Sequence, residues 1–98
     1  DFQTQYYLGT VLAKTGDKKS ALEYLRNAAQ LDPEQPGVHY QLASVYRATG
    51  DRKAALEEQQ IFRELSARHE QKRRANALQS AARLALESID ANPPQTLP

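Results

Sequence analysis

The chain has no cysteine, which excludes thiol chemistry, disulfides and thiolate metal sites together. That absence does not choose a compartment, because cytoplasm and periplasm both tolerate it. Charge of one sign is also missing: thirteen basic and twelve acidic side chains leave a formal +1. No global field therefore draws the chain to nucleic acid or an anionic membrane. Its apolar runs are only a few residues long, too short for a membrane span. No basic start leads into an apolar stretch, so no secretory leader is expected within these residues. It opens on Asp1 rather than Met, which reads as a processed product or an excised fragment. What remains is globular in character, at 40% hydrophobic and 26% charged residues, and such a chain folds rather than stays disordered. Ninety-eight residues make one small domain or a piece of a larger one.

Self-comparison is the informative test, because a fixed period changes the whole fold assignment. Sliding the sequence by thirty-four lays residues 2–35 on 36–69 with eleven identities, where chance gives roughly two for ordinary composition. Ten of the eleven fall between Tyr6 and Glu23, including Leu8 with Leu42, Val11 with Val45 and Thr15-Gly16-Asp17 with Thr49-Gly50-Asp51. No gap is needed. The chain is a duplication.

Each copy reads as two helices about a tight turn. Tyr7, Leu8, Val11 and Leu12 form an apolar stripe at helical spacing. Gly16 follows as a stop that tolerates positive φ, and Asp17 stands where it caps the next helix. That helix carries Ala21, Leu22, Leu25, Ala28, Ala29 and Leu31 until Asp32-Pro33 ends it. Pro36 opens the following helix, where its missing N–H costs nothing. The second copy repeats the plan, with a helix from Tyr40 to Ala48, a turn at Thr49-Gly50-Asp51 and another helix from about Arg52.

A period of thirty-four with Leu8-Gly9, Ala21-x-x-x-Leu25 and Pro33, then Leu42-Ala43, Tyr46 and Ala55, resembles the tetratricopeptide repeat. The resemblance covers 2–69, about two thirds of the chain. It implies an all-α, right-handed solenoid of helix–turn–helix units, with repeats at 2–35 and 36–69. Gln5 and His39 stand where that family usually has Trp or another large apolar residue. Gln59 replaces a large apolar residue of the second helix B, and Ala67 replaces the helix-ending Pro.

Beyond Gly50 there is no Gly and no Pro until Pro93, so about forty residues lack a strong helix breaker. They are rich in good helix formers. Leu56, Ile61, Phe62 and Leu65 make one apolar patch, and Ala75, Leu78, Ala82, Ala85 and Ile89 make another. The run Arg68-His69-Glu70-Gln71-Lys72-Arg73-Arg74 between them has nothing to bury. Two structures fit. In the favoured one the chain bends at or before this run, and a helix over 70–91 folds back as a cap on the second repeat. In the other, one helix of roughly 57 Å continues to about residue 90 and needs a partner chain or a swapped dimer. Residues 92–98, Asn-Pro-Pro-Gln-Thr-Leu-Pro, read as an extended tail.

Catalysis has little to stand on. His39 and His69 sit in non-equivalent positions, the first read as packed at a helix interface and the second as solvated. Asp17 and Asp51 are explained as caps rather than as an acid–base pair. No phosphate loop, metal-ligand spacing or cofactor motif is present, so the chain reads as a non-enzyme without a cofactor or small-molecule substrate. The basic run 68–74 is short and flanked by Glu64, Glu70 and Glu87, without interleaved aromatics, which weighs against nucleic acid.

The expected function is non-catalytic protein–protein interaction. In tetratricopeptide arrays the first helix of each repeat lines a concave groove. Carried onto this chain, the resemblance implies a partner-binding face of Tyr6, Tyr7, Thr10 and Lys14, beside Gln3, continued by Tyr40, Gln41, Ser44 and Arg47. Tyrosines suit recognition by their contact area, and Lys14 and Arg47 favour acidic segments. Chaperone-binding members use asparagines where this chain has Thr10 and Gln41, so that carboxylate clamp is not expected. The alternative function is self-association, possible as a homodimer through Leu78, Ala82, Ala85 and Ile89.

Overall fold

The computed structural model describes residues 1–91, which form four α-helices: α1 Phe2–Thr15, α2 Lys18–Leu31, α3 Pro36–Thr49 and α4 Arg52–Ala91. No strand occurs among the described residues, and the extended tail expected at 92–98 lies outside them. The chain divides into two compact units, residues 1–67 and residues from 68 onward.

In the first unit the duplication is visible in the backbone. α3 starts and stops thirty-four residues after α1, at 36 against 2 and at 49 against 15. Both turns use the same device. Gly16 and Gly50 take φ of 98° and 85°, a left-handed conformation that only glycine adopts without strain. Asp17 and Asp51 then accept the backbone N–H groups of Ser20 and Ala54, each at 3.2 Å, as expected of caps. Lys18 adds a further stitch, its Nζ donating to the Ala13 carbonyl at 2.6 Å. Pro36 stands in the first turn of α3 and Asp32 closes α2, also as the sequence suggested.

The core is built from small residues and a few branched ones. Ala13, Ala21, Leu25, Ala28, Val38, Leu42, Val45, Tyr46 and Ala55 make one buried cluster. Leu25, at 0% exposure, is its central piece. It lies so near α1 that a Cβ added at Gly9 would sit 2.6 Å from its Cγ. Two helices can approach this closely only where one presents no side chain.

That approach corrects the sequence-based stripe of α1. The face turned inward is Gly9 and Ala13, with Phe2, Tyr6 and Leu12 packed beside them. Tyr7, Leu8 and Val11 are exposed. The largest apolar side chains do not mark the interface, because interhelical distance is set by the smallest ones. Leu31, read as part of the α2 stripe, is likewise exposed, while Ala21, Leu25 and Ala28 carry the contact.

The second correction concerns α4. The bend favoured from the polar run is absent: Arg68–Arg74 are helical, and one helix continues from Arg52 to Ala91. Polarity alone does not interrupt a helix whose residues have high intrinsic propensity. The run also supplies its own support, since Glu70 pairs with Arg73 and, at 3.2 Å, with Arg74, at the i+3 and i+4 spacings that meet on a helix surface. In the second unit Leu78 is 71% exposed, with Leu84, Leu86 and Ile89 also exposed.

Two substitutions test this description. Gly9→Ala gains helix propensity of about 1 kcal/mol, yet forces Leu25 and its backbone to shift. A net loss of about 1–3 kcal/mol is expected in urea denaturation. Leu78→Asp should change stability by no more than about 0.5 kcal/mol in a dilute thermal melt, whereas a packed cap would lose several times that.

Candidate functional site

Four residues of the expected binding face come together. Gln3, Tyr6, Tyr7 and Thr10, spaced on one side of α1, line an open recess of about 250 Å³. Tyr7 is 70% exposed and offers its ring to solvent. Tyr6 is half-buried: its ring lies 5.5 Å from that of Phe2, and its hydroxyl occupies the space a side chain at Gly37 would need. Thr10 is partly committed, because its hydroxyl donates to the Tyr6 carbonyl at 2.8 Å. Lys14, one turn further along, is exposed.

The matching residues of α3 are arranged differently. Tyr40, the repeat equivalent of Tyr6, is 57% exposed and packs its ring 5.4 Å from Phe62 of α4. Gln41 is half-buried and Ser44 exposed; neither lines the α1 recess. Arg47 belongs to a second recess of about 300 Å³, shared with Arg52, Ala55, Leu56 and Gln59. Shifted by thirty-four, these positions are Ala13, Lys18, Ala21, Leu22 and Leu25. In the first repeat Ala13, Ala21 and Leu25 are buried with Val38, Leu42, Val45 and Tyr46 of α3. The second recess is therefore the counterpart of a surface that a helix covers one repeat earlier.

Sequence reasoning missed a third recess, of about 370 Å³, along α2 at Lys19, Leu22, Glu23, Arg26, Asn27 and Gln30. Its signal is the helical spacing of those six positions, of which Lys19, Leu22 and Glu23 recur unchanged in the second repeat. Arg26 there is tied inward, its Nε donating to the Tyr46 hydroxyl at 2.9 Å and its guanidinium lying over the Tyr46 ring.

His39 is buried at 6% exposure, in agreement with a packing role, and its bonding is more specific than packing alone. Nε2 donates to the Pro33 carbonyl at 2.8 Å, and Nδ1 lies 2.6 Å from Oε2 of Glu58. A carbonyl only accepts, so the proton on Nε2 is fixed, and a second hydrogen bond joins ring and carboxylate. One side chain thus ties the α2–α3 connection to α4. Both ring nitrogens are engaged, which leaves none to act on a substrate. No cluster of three metal-ligating side chains occurs among the described residues. No helix there is long and apolar enough to cross a membrane.

The repeat geometry is matched by the family comparison: residues 12–82 fit the family model described as tetratricopeptide repeat. The chain belongs to that family. The match covers well over half of its length and includes the end of α1, all of α2 and α3, and much of α4. Neither the curated proteins nor the solved structures gave a match. Tetratricopeptide repeats generally mediate protein–protein interaction, and the family is typically non-catalytic.

The His39 bridge gives a test that separates bonding from volume. His39→Ala removes both bonds and opens a cavity, for an expected loss of about 2–3 kcal/mol. Glu58→Gln keeps a partner for Nδ1, because its amide donates where the carboxylate accepted, and should cost less than about 1 kcal/mol. Chemical denaturation of both variants beside the parent checks the order.

Proposed function

We propose that this tetratricopeptide chain captures an acidic peptide or partner segment on the exposed face of α1 and α3. The observation that carries the reading is the exposure of Tyr7 and Tyr40, 70% and 57%. Large aromatic rings left in solvent on the first helix of each repeat offer contact area at little cost in rotamer entropy. Lys14 and Arg47 are exposed on the same helices and make no ion pair among the described residues, so they supply positive charge for carboxylates. The open α1 recess supports the same reading, being lined by aromatic and neutral polar groups.

Selection of ten-residue peptides from a displayed random library against the chain tests this. Enriched sequences should be acidic, and raised salt should weaken their binding. Replacing Tyr40 and Arg47 together by Ala should reduce affinity about tenfold or more. Neutral or basic winners, or unchanged capture by the double variant, would overturn the proposal.

A second reading, self-association through α4, is favoured by one specific observation. Leu78, Ala82, Ala85 and Ile89 share a helix face and are all exposed, and apolar surface of this kind marks interaction sites. Light scattering on a sizing column over a hundredfold range of concentration separates the two. A constant mass near 11.0 kDa supports a monomeric binder, and a rise toward twice that supports assembly.

A further inference from the structure

The apolar face in the second unit is patterned for one occupant. Ala75, Leu78, Ala82, Ala85 and Ile89 advance by alternating steps of three and four, the period with which two helices bury a common seam. Leu86 lies at the edge of that stripe, and all six residues are exposed. The order of sizes then discriminates between directions. If two copies ran parallel and in register, Leu78 would meet Leu78 and Ile89 would meet Ile89. The spacing those layers demand would leave voids at the alanine layers, which close packing penalises. With one copy reversed about Ala82, Ala75 faces Ile89, Leu78 faces Leu86, and Ala82 faces itself. Large residues then oppose small ones at both ends, and the alanine centre allows the helices to approach closely.

Charge points the same way. Lys72 and Asp90 are eighteen residues apart, which is five whole helical turns at about 3.6 residues each. They therefore stand at one edge of the stripe, one at either end. A parallel, in-register pair would put the two copies of this edge on opposite sides of the seam, so that neither Lys72 meets an Asp90. An antiparallel pair brings each Lys72 to the Asp90 of the other copy, and the wider basic group Lys72-Arg73-Arg74 toward Glu87 and Asp90. Opposed helix dipoles add to this preference.

We propose that residues 75–89 pair antiparallel with the same segment of a second copy, centred near Ala82. The inference rests on the self-association reading and adds its direction and register. Each assembly then carries two sets of repeats, so a partner presenting two acidic segments gains from avidity.

The absence of native cysteine permits a direct test on the whole 98-residue chain. Two variants, Ala75→Cys and Ile89→Cys, are mixed in equal amounts and gently oxidised, and the products are weighed by mass spectrometry. Both positions are exposed in the second unit, so neither substitution disturbs the core of the repeats. The expected result is a mixed 75–89 disulfide exceeding both self-disulfides by more than about fivefold. The parent chain should also show a twofold rise in mass with concentration, and Asp90→Lys should weaken that rise while Lys72→Glu with Asp90→Lys restores it. Dominant 75–75 and 89–89 products would overturn the antiparallel arrangement while leaving self-association standing. A doubled mass with no cross-link above a random mixture would place the contact elsewhere and overturn the proposal. A mass constant near 11.0 kDa at every concentration would remove both the proposal and the reading beneath it.

Discussion

A leucine seated against a glycine sets the geometry of the repeat unit. Leu25 has no exposure, and it reaches that state because Gly9 lets α2 come close enough for its side chain to lie on the bare backbone of α1. Once that distance is fixed, alanines suffice for the rest of the contact, and α3 can lay Val38, Leu42 and Val45 over the pair. The turn glycines serve the same end, since Gly16 and Gly50 reverse the chain within two residues. Hydrophobic burial by alanine is individually small. The unit therefore depends on several elements meeting at once, which is the way repeat proteins distribute their stability.

Much of this was legible in the sequence because it rests on local rules. The duplication, the left-handed glycines, the capping aspartates and the proline that opens α3 each follow from the conformational limits of single residues. The inward face of α1 was not legible in the same way. Hydrophobicity points to Leu8 and Val11, whereas the contact is made by Gly9 and Ala13, and only the position of Leu25 reveals it. The continuity of α4 was obscured for a related reason. A run with nothing to bury was read as a break, although its propensities and the Glu70–Arg73 and Glu70–Arg74 pairs hold a helix without burial.

The candidate face shows how far duplication carries and where it stops. Tyr6 and Tyr40 are equivalent in sequence but not in environment. The first is partly sheltered beside Phe2 and Gly37, and the second leans on Phe62 with most of its surface free. Likewise Arg47 replaces the buried Ala13 of the first repeat, which turns a packing position into a cationic one. Recognition in such an array is written in the departures from the repeat, since the shared positions are spent on the fold. His39 belongs to the shared scaffold in effect though not in identity, as it substitutes a pair of hydrogen bonds for the bulk an aromatic residue would bring.

The unbroken α4 carries a consequence for how its exposed half persists. Starting a helix is the unfavourable step, because several residues must be ordered before the first hydrogen bond closes, while adding a residue to an existing turn is nearly neutral or favourable for good helix formers. The stretch that includes Ala55 and Leu65, both buried, supplies that start. The residues after Arg68 extend a ladder already begun and avoid the initiation penalty that the same sequence would face as a separate peptide. Unwinding within Arg68–Arg74 would reimpose that penalty on everything beyond it. A proline placed in those seven residues would act at a distance, abolishing the helical seam without touching one of its side chains.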